Sequence, residues 1–140
     1  MGTTVYARVA SADPDLEPEL DCISPATGKA DGFGELAEGI HLACPLHLCK
    51  QYVLPLLLFR KVCIFNGSTR LMKADCMVLQ GLSQRIAFEL VVGVNGRIWV
   101  KAKSLKETWL VYRALQAYIA GEIKDAAHLK TLLQTWSTSA

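Results

Sequence analysis

From Ile86 onward the chain alternates apolar and polar positions. Ile86, Phe88, Leu90 and Val92 occupy every second position, and after Gly93-Val94-Asn95-Gly96 the alternation resumes at Ile98, Val100 and Ala102. Successive side chains of a strand point to opposite faces, so the pattern predicts a β-hairpin with one buried face. Asn95-Gly96 tolerates the positive φ angles of a tight primed turn. The period then becomes helical. Ser104 with Glu107 three residues later forms a capping box that satisfies free N–H groups at the start of a helix carrying Trp109, Tyr112, Leu115 and Ile119. Gly121 ends that helix, and a last amphipathic helix from Glu122 to Trp136 presents Ile123, Ala127, Leu132, Leu133 and Trp136.

The earlier part of the chain is more broken. Val5 to Val9 alternates and Leu20-Asp21-Cys22-Ile23 is a second extended run, so two strands are expected with the acidic stretch Ala12 to Glu19 between them. Ser24 to Gly34 holds Pro25, Gly28, Gly32 and Gly34, the composition of a connector, and a domain boundary is placed there. Ile40 to Ala43 reads as a strand, and Pro45 suits the first turn of a helix running through Leu46, Cys49 and Val53 until Pro55. Leu56 to Phe59, Arg60-Lys61 and Val62 to Phe65 follow, with two strands expected around Asn66-Gly67. A second helix runs from about Ala74 to Leu82 with Met77, Val78 and Leu82 as its apolar face. The apolar runs Leu54 to Phe59 and Val62 to Phe65 fit either an exposed docking patch or the chain's own core. From Ile40 the order is strand, helix, helix, strand, strand, helix, helix, an α/β (α+β) arrangement.

Half of the 140 residues are apolar. That suffices for one core plus a small appendage. No apolar run approaches the roughly 18 residues that span a bilayer, and no secretory segment opens the sequence, so an intracellular, soluble chain is expected. Cys22, Cys44, Cys49, Cys63 and Cys76 are odd in number and scattered, which favours reduced thiols over a disulfide framework. The net charge of +2 hides a division: residues 1–40 carry −6 and residues 41–140 carry +8. The later part suits a polyanion, and the earlier part would be repelled by one.

Candidate chemistry is sparse. His41, Cys44, His47 and Cys49 fall within nine residues, but the spacing fits no paired zinc-ligand arrangement, and no metal is expected. No nucleophile signature surrounds any Cys or His, and no paired carboxylates or phosphate-binding loop occur, so no catalytic residues are assigned. Arg97, Trp99, Lys101 and Lys103 lie opposite Ile98 and Val100. Three cations and one aromatic at strand spacing could neutralise phosphates and stack a base, as grooves for single-stranded RNA do. The same face could equally pack against protein.

The element order, less the last helix, resembles a type I KH domain (βααββα). The hairpin Gly93-Val94-Asn95-Gly96-Arg97-Ile98-Trp99-Val100-Lys101-Ala102-Lys103 is similar to the Gly-x-Asn-Gly hairpin of the degenerate KH domain in exosome cap subunits of the ribosomal RNA-processing protein 40 type, the exosome component 3 family. Glu17-Pro18-Glu19 followed by Cys22-Ile23 resembles the end of that family's S1-type OB-fold, and the spacing of Gly28, Ala30, Gly32 and Gly34 resembles its connector.

The resemblance implies an OB-fold remnant and connector over residues 1–34, and a KH-like domain over 35–140 with an insertion at about 56–73. It implies a non-catalytic, RNA-binding subunit without cofactors, seated on the exosome's hexameric ring. Its partners would be the other core subunits and single-stranded RNA, with no membrane and no small-molecule substrate. The setting would be rRNA processing and 3′-to-5′ RNA degradation in the nucleus, nucleolus and cytoplasm. Gly93, Asn95 and Gly96 would form a structural turn at the domain junction. Val5 to Ile23 supply only the last strands of a barrel, so the chain is expected to be a fragment or to need a partner. The nucleotide-clamping Gly-x-x-Gly loop of ordinary KH domains has no counterpart here. A free-standing KH-like RNA-binding protein outside the exosome is the alternative.

Overall fold

A computed structural model of the chain describes residues 3–47, 63–65, 77–123 and 125–138. The alternating run Val5 to Val9 does not make one strand. It divides at Ala7 into β1 (Thr4–Tyr6) and β2 (Arg8–Ser11), which have different partners. β2 folds back on β3 (Glu19–Asp21) with Val9 opposite Leu20, and β1 pairs with β4 (Gly34–Leu36), a strand the alternation does not predict. Contacts beside the division explain it. The Arg8 guanidinium donates to the Ile23 carbonyl and to the Asp21 carboxylate, each at 2.9 Å, while the Tyr6 ring stacks on Phe33 with centroids 5.0 Å apart. The two halves of the run are thus drawn to different sides of the connector.

The second unit is built on a four-stranded antiparallel sheet. Its strands are β5 (Ile40–Ala43), β6 (Cys63–Phe65), β7 (Phe88–Val92) and β8 (Arg97–Ala102), in the spatial order β5-β8-β7-β6. One strand of the pair expected around Asn66-Gly67 is thereby placed, and it pairs with β7. Among the described residues three helices pack with it: α1 (Met77–Ser83), α2 (Leu105–Ile119) and α3 (Ala126–Thr138). The helix expected after Pro45 is helical at Leu46 and His47 and otherwise lies outside the described residues, as do the apolar run Leu54 to Phe59 and the first residues of the expected second helix.

The expected inner face of the hairpin is buried: Phe88, Leu90, Val92, Ile98 and Val100 join Leu42 in one core with Val78 and Leu82 of α1. The turn is not the two-residue primed type. Gly93 N–H donates to the Arg97 carbonyl at 2.8 Å, enclosing the three-residue loop Val94–Gly96, in which Gly96 has φ +78° and Asn95 stays at negative φ. Asn95 contributes its side chain instead, its Oδ1 accepting the Arg97 N–H at 3.2 Å. Such a three-residue loop ending in a left-handed residue is the next most common hairpin solution.

Both ends of α2 are closed as the sequence requires. Ser104 Oγ accepts the Glu107 N–H at 3.2 Å. At the far end Gly121 N–H bonds to the Tyr118 carbonyl and Glu122 N–H to that of Ala117, the paired bonds of a Schellman stop. The inward face is rotated from the expected one. Thr108, Val111, Ala114, Leu115 and Ala117 are buried, whereas Trp109 is 50% exposed. In α3 the anchors are Leu129 and Leu133; Ala127 is exposed, and Ile123 is buried ahead of the helix. Gly81 explains how closely α1 and α3 approach, because a Cβ there would lie 2.8 Å from Leu129 Cδ2.

Candidate nucleic-acid interface

β8 turns Ile98 and Val100 into the core, so Arg97, Trp99 and Lys101 occupy its other face. Their cross-strand neighbours follow from the register: Ala43 beside Arg97, His41 and Val91 flanking Trp99, and Glu89 beside Lys101. Arg97 and Lys101 are four residues apart, about 13 Å along the strand.

The four residues of the expected RNA-binding stripe separate into two groups. Arg97 and Lys103, the latter just past the strand, are exposed. Trp99 is 5% exposed, and its Nε1–H donates to the Glu38 carbonyl at 3.0 Å. Lys101 Nζ lies 3.1 Å from the Glu38 carboxylate and 3.4 Å from the Ala37 carbonyl. The segment Ala37–Gly39 therefore lies over the middle of the stripe. Its ring covered, Trp99 acts here as a packing residue, and Arg97 and Lys103 are the cations of the stripe that stay exposed. Gly39 makes the cover possible: at φ +115°, a Cβ on it would meet Trp99 Nε1 at 2.5 Å. Sequence reasoning missed Glu38 and Gly39. A glycine directly before a strand, a mark of close backbone approach, was the available signal.

Gly93, Asn95 and Gly96 sit at the opposite end of the sheet. Gly96 accepts the Cys44 N–H at 2.9 Å, and a Cβ on Gly96 would come within 3.0 Å of the Cys44 carbonyl and 3.5 Å of Leu46 Cδ2. The turn thus packs on the end of β5. The N-terminal strands meet the sheet at the other end, through Ala37–Gly39 and through Thr4, whose Oγ1 lies 3.1 Å from His41 Nε2. His41, Cys44 and His47 do not converge. Cys44 is buried with its Sγ 3.6 Å from the Pro45 carbonyl, His47 is exposed, and Cys49 lies outside the described residues. Among the described residues no three His, Cys, Asp or Glu side chains gather.

Comparison with known proteins shows what the chain is similar to. Residues 1–34 match the model of the S1 domain of exosome complex component RRP40, and residues 63–106 match a KH domain model. Exosome complex component rrp40 of Schizosaccharomyces pombe is 38% identical over 117 residues, 83% of this chain and 41% of the relative. RRP40 of Saccharomyces cerevisiae is 33% identical over 115 residues, covering 82% of this chain and 40% of the relative. The chain is thus similar to RRP40 proteins over most of its length. Human RRP40 is 32% identical over 118 residues, 84% of the chain and 36% of the relative, so the chain spans well under half the length of these RRP40 proteins. A solved structure described as an exosome complex RNA-binding protein superposes with a TM-score of 0.61 at 13% identity, covering 98% of this chain and 65% of that one. That likeness concerns the fold. β1 to β3 fall within the residues matched by the S1 model, and β6, α1, β7 and β8 within those matched by the KH model.

Proposed function

We propose that the chain serves as a non-catalytic, RNA-binding cap subunit of the RNA exosome, seated on a hexameric ring and supporting 3′-to-5′ processing and degradation without cleaving RNA itself. One observation carries the reading: the end of an RRP40-type S1 domain is followed by a KH unit, with 32–38% identity to RRP40 proteins of yeasts and human over most of the chain. The positive balance of residues 41–140 supports contact with a polyanion. Arg97 and Lys103 are the phosphate contacts this reading selects on the sheet edge, with Lys101 contributing when it leaves Glu38. Such an exposed ion pair holds it by only about 0–1 kcal/mol. We place the protein in the nucleus, nucleolus and cytoplasm, which imaging of a fluorescent fusion checks.

The test is co-purification. Tagged chain recovered from cells is expected to bring the other core subunits with it, and chain recovered without ring subunits would overturn the exosome assignment. In the assembled complex, Lys101→Glu with Lys103→Glu is expected to weaken RNA binding and lower its salt dependence. Unchanged RNA affinity at low salt would remove the sheet edge as a contact.

A further inference from the structure

The outward face of α2 carries a second arrangement of aromatic and cationic groups that the sheet does not use. At 3.6 residues per turn, Leu105, Trp109, Tyr112 and Gln116 fall along one stripe of the helix, and Lys106 and Arg113 fall along the stripe beside it. Leu105 is 78% exposed and Trp109 50%. The Trp109 and Tyr112 rings are stacked, with centroids 5.1 Å apart and planes within 19°. Tyr112 therefore supports one face of an indole that is half open to solvent. The Arg113 guanidinium lies 4.8 Å from the centre of the Trp136 ring on α3. That contact fixes the plane of the guanidinium while leaving its charge at the surface.

We infer that this face of α2 is a binding site for single-stranded RNA, with a base stacking on Trp109 and the backbone following Lys106 and Arg113. The inference rests on the RNA-binding role proposed above and locates a contact on the helix side of the KH unit. Charge favours a polyanion, since Glu107 is the only acidic residue in α2 and α3 and falls on the opposite side of α2 from Trp109. Ring geometry favours nucleic acid, because a supported, open indole beside a row of cations is what sequence-tolerant single-strand sites combine. Lys106 and Arg113 lie about 10 Å apart along the helix axis, so two cations flank one aromatic platform.

The experiment uses the 140-residue chain and a fluorescein-labelled oligouridylate of roughly ten nucleotides at low salt, read by anisotropy and by quenching of indole emission. Trp109→Ala and Arg113→Ala are each expected to weaken binding about five- to tenfold, while Trp109→Phe keeps affinity within about twofold of the parent. Circular dichroism of each variant verifies the fold, and the Phe variant preserves the test if the Ala variant is unfolded. If the α2 variants bind as the parent does while Lys101→Glu with Lys103→Glu weakens binding, RNA binding stands and this site is overturned. If the parent chain binds no oligouridylate, both readings fall. Loss of ring-subunit association in the α2 variants with unchanged RNA affinity would make the face a protein contact and overturn the inference.

Discussion

Substituting Gly39 by alanine tests how the N-terminal segment is fastened to the sheet. A Cβ at this position would lie 2.5 Å from Trp99 Nε1, 2.7 Å from Trp99 Cε2 and 2.8 Å from the Val100 carbonyl. The carbonyl belongs to β8 opposite Ile40, so it cannot retreat without disturbing that pairing. The indole must move instead, giving up its hydrogen bond to Glu38, about 1 kcal/mol, and part of the packing of a buried Trp. Backbone strain at φ +115° adds about 1–3 kcal/mol. Gly34 separates the two effects, because it has φ +118° with nothing within 4 Å of where its Cβ would stand. Gly34→Ala is expected to report the strain alone, and Gly39→Ala to cost about 2–4 kcal/mol more. Urea unfolding followed by circular dichroism measures both, provided the m-values agree. A difference below about 0.5 kcal/mol would refute the claim that Gly39 and Trp99 are locked together. Combining Gly39→Ala with Trp99→Leu should recover at least about 1 kcal/mol of coupling.

Other elements give simpler expectations, each read from the same unfolding curves. Thr108 is buried, donates its hydroxyl to the Ser104 carbonyl at 2.9 Å and accepts the Ala102 N–H at 3.0 Å. Thr108→Val therefore strands a strand-end amide and should cost about 2 kcal/mol. Ser104→Ala removes the acceptor for Glu107 N–H and should cost about 1 kcal/mol. Leu129→Ala empties a position that is 1% exposed, where α3 meets Gly81 of α1, and should cost about 3–4 kcal/mol.

Much of the KH unit was legible because its signals are local. The hairpin shows in a period of two over Phe88 to Ala102, and α2 shows in its caps, which involve residues three to five positions apart. What failed was the face of α2. Trp109 and Tyr112 count as apolar in a periodicity argument, yet Thr108 and two alanines are small enough to lie against neighbouring elements and so set the inward side. β4 was invisible because Gly34-Glu35-Leu36 is short and its partner β1 lies about thirty residues away. The site shows the same limit. Alternation places Trp99 opposite Ile98 and Val100, but it carries no information on what covers that face. The cover comes from Glu38, 61 residues distant.

Glu38 also changes the meaning of the charge division along the chain. Read linearly, the acidic first forty residues and the basic remainder suggest one region that avoids a polyanion and one that attracts it. In the fold the two meet, since Glu38 sits 3.1 Å from Lys101 and its segment lies over Trp99. A polyanion approaching the middle of β8 encounters an acidic strap before it encounters a lysine. Arg97 and Lys103 flank that strap, and Lys106 and Arg113 lie on α2 beyond it. The positive potential is therefore displaced from the centre of the sheet toward its rim and α2. That displacement is why the aromatic group suited to stacking is Trp109, an outward residue of a helix, rather than Trp99, the one the strand pattern first brings forward.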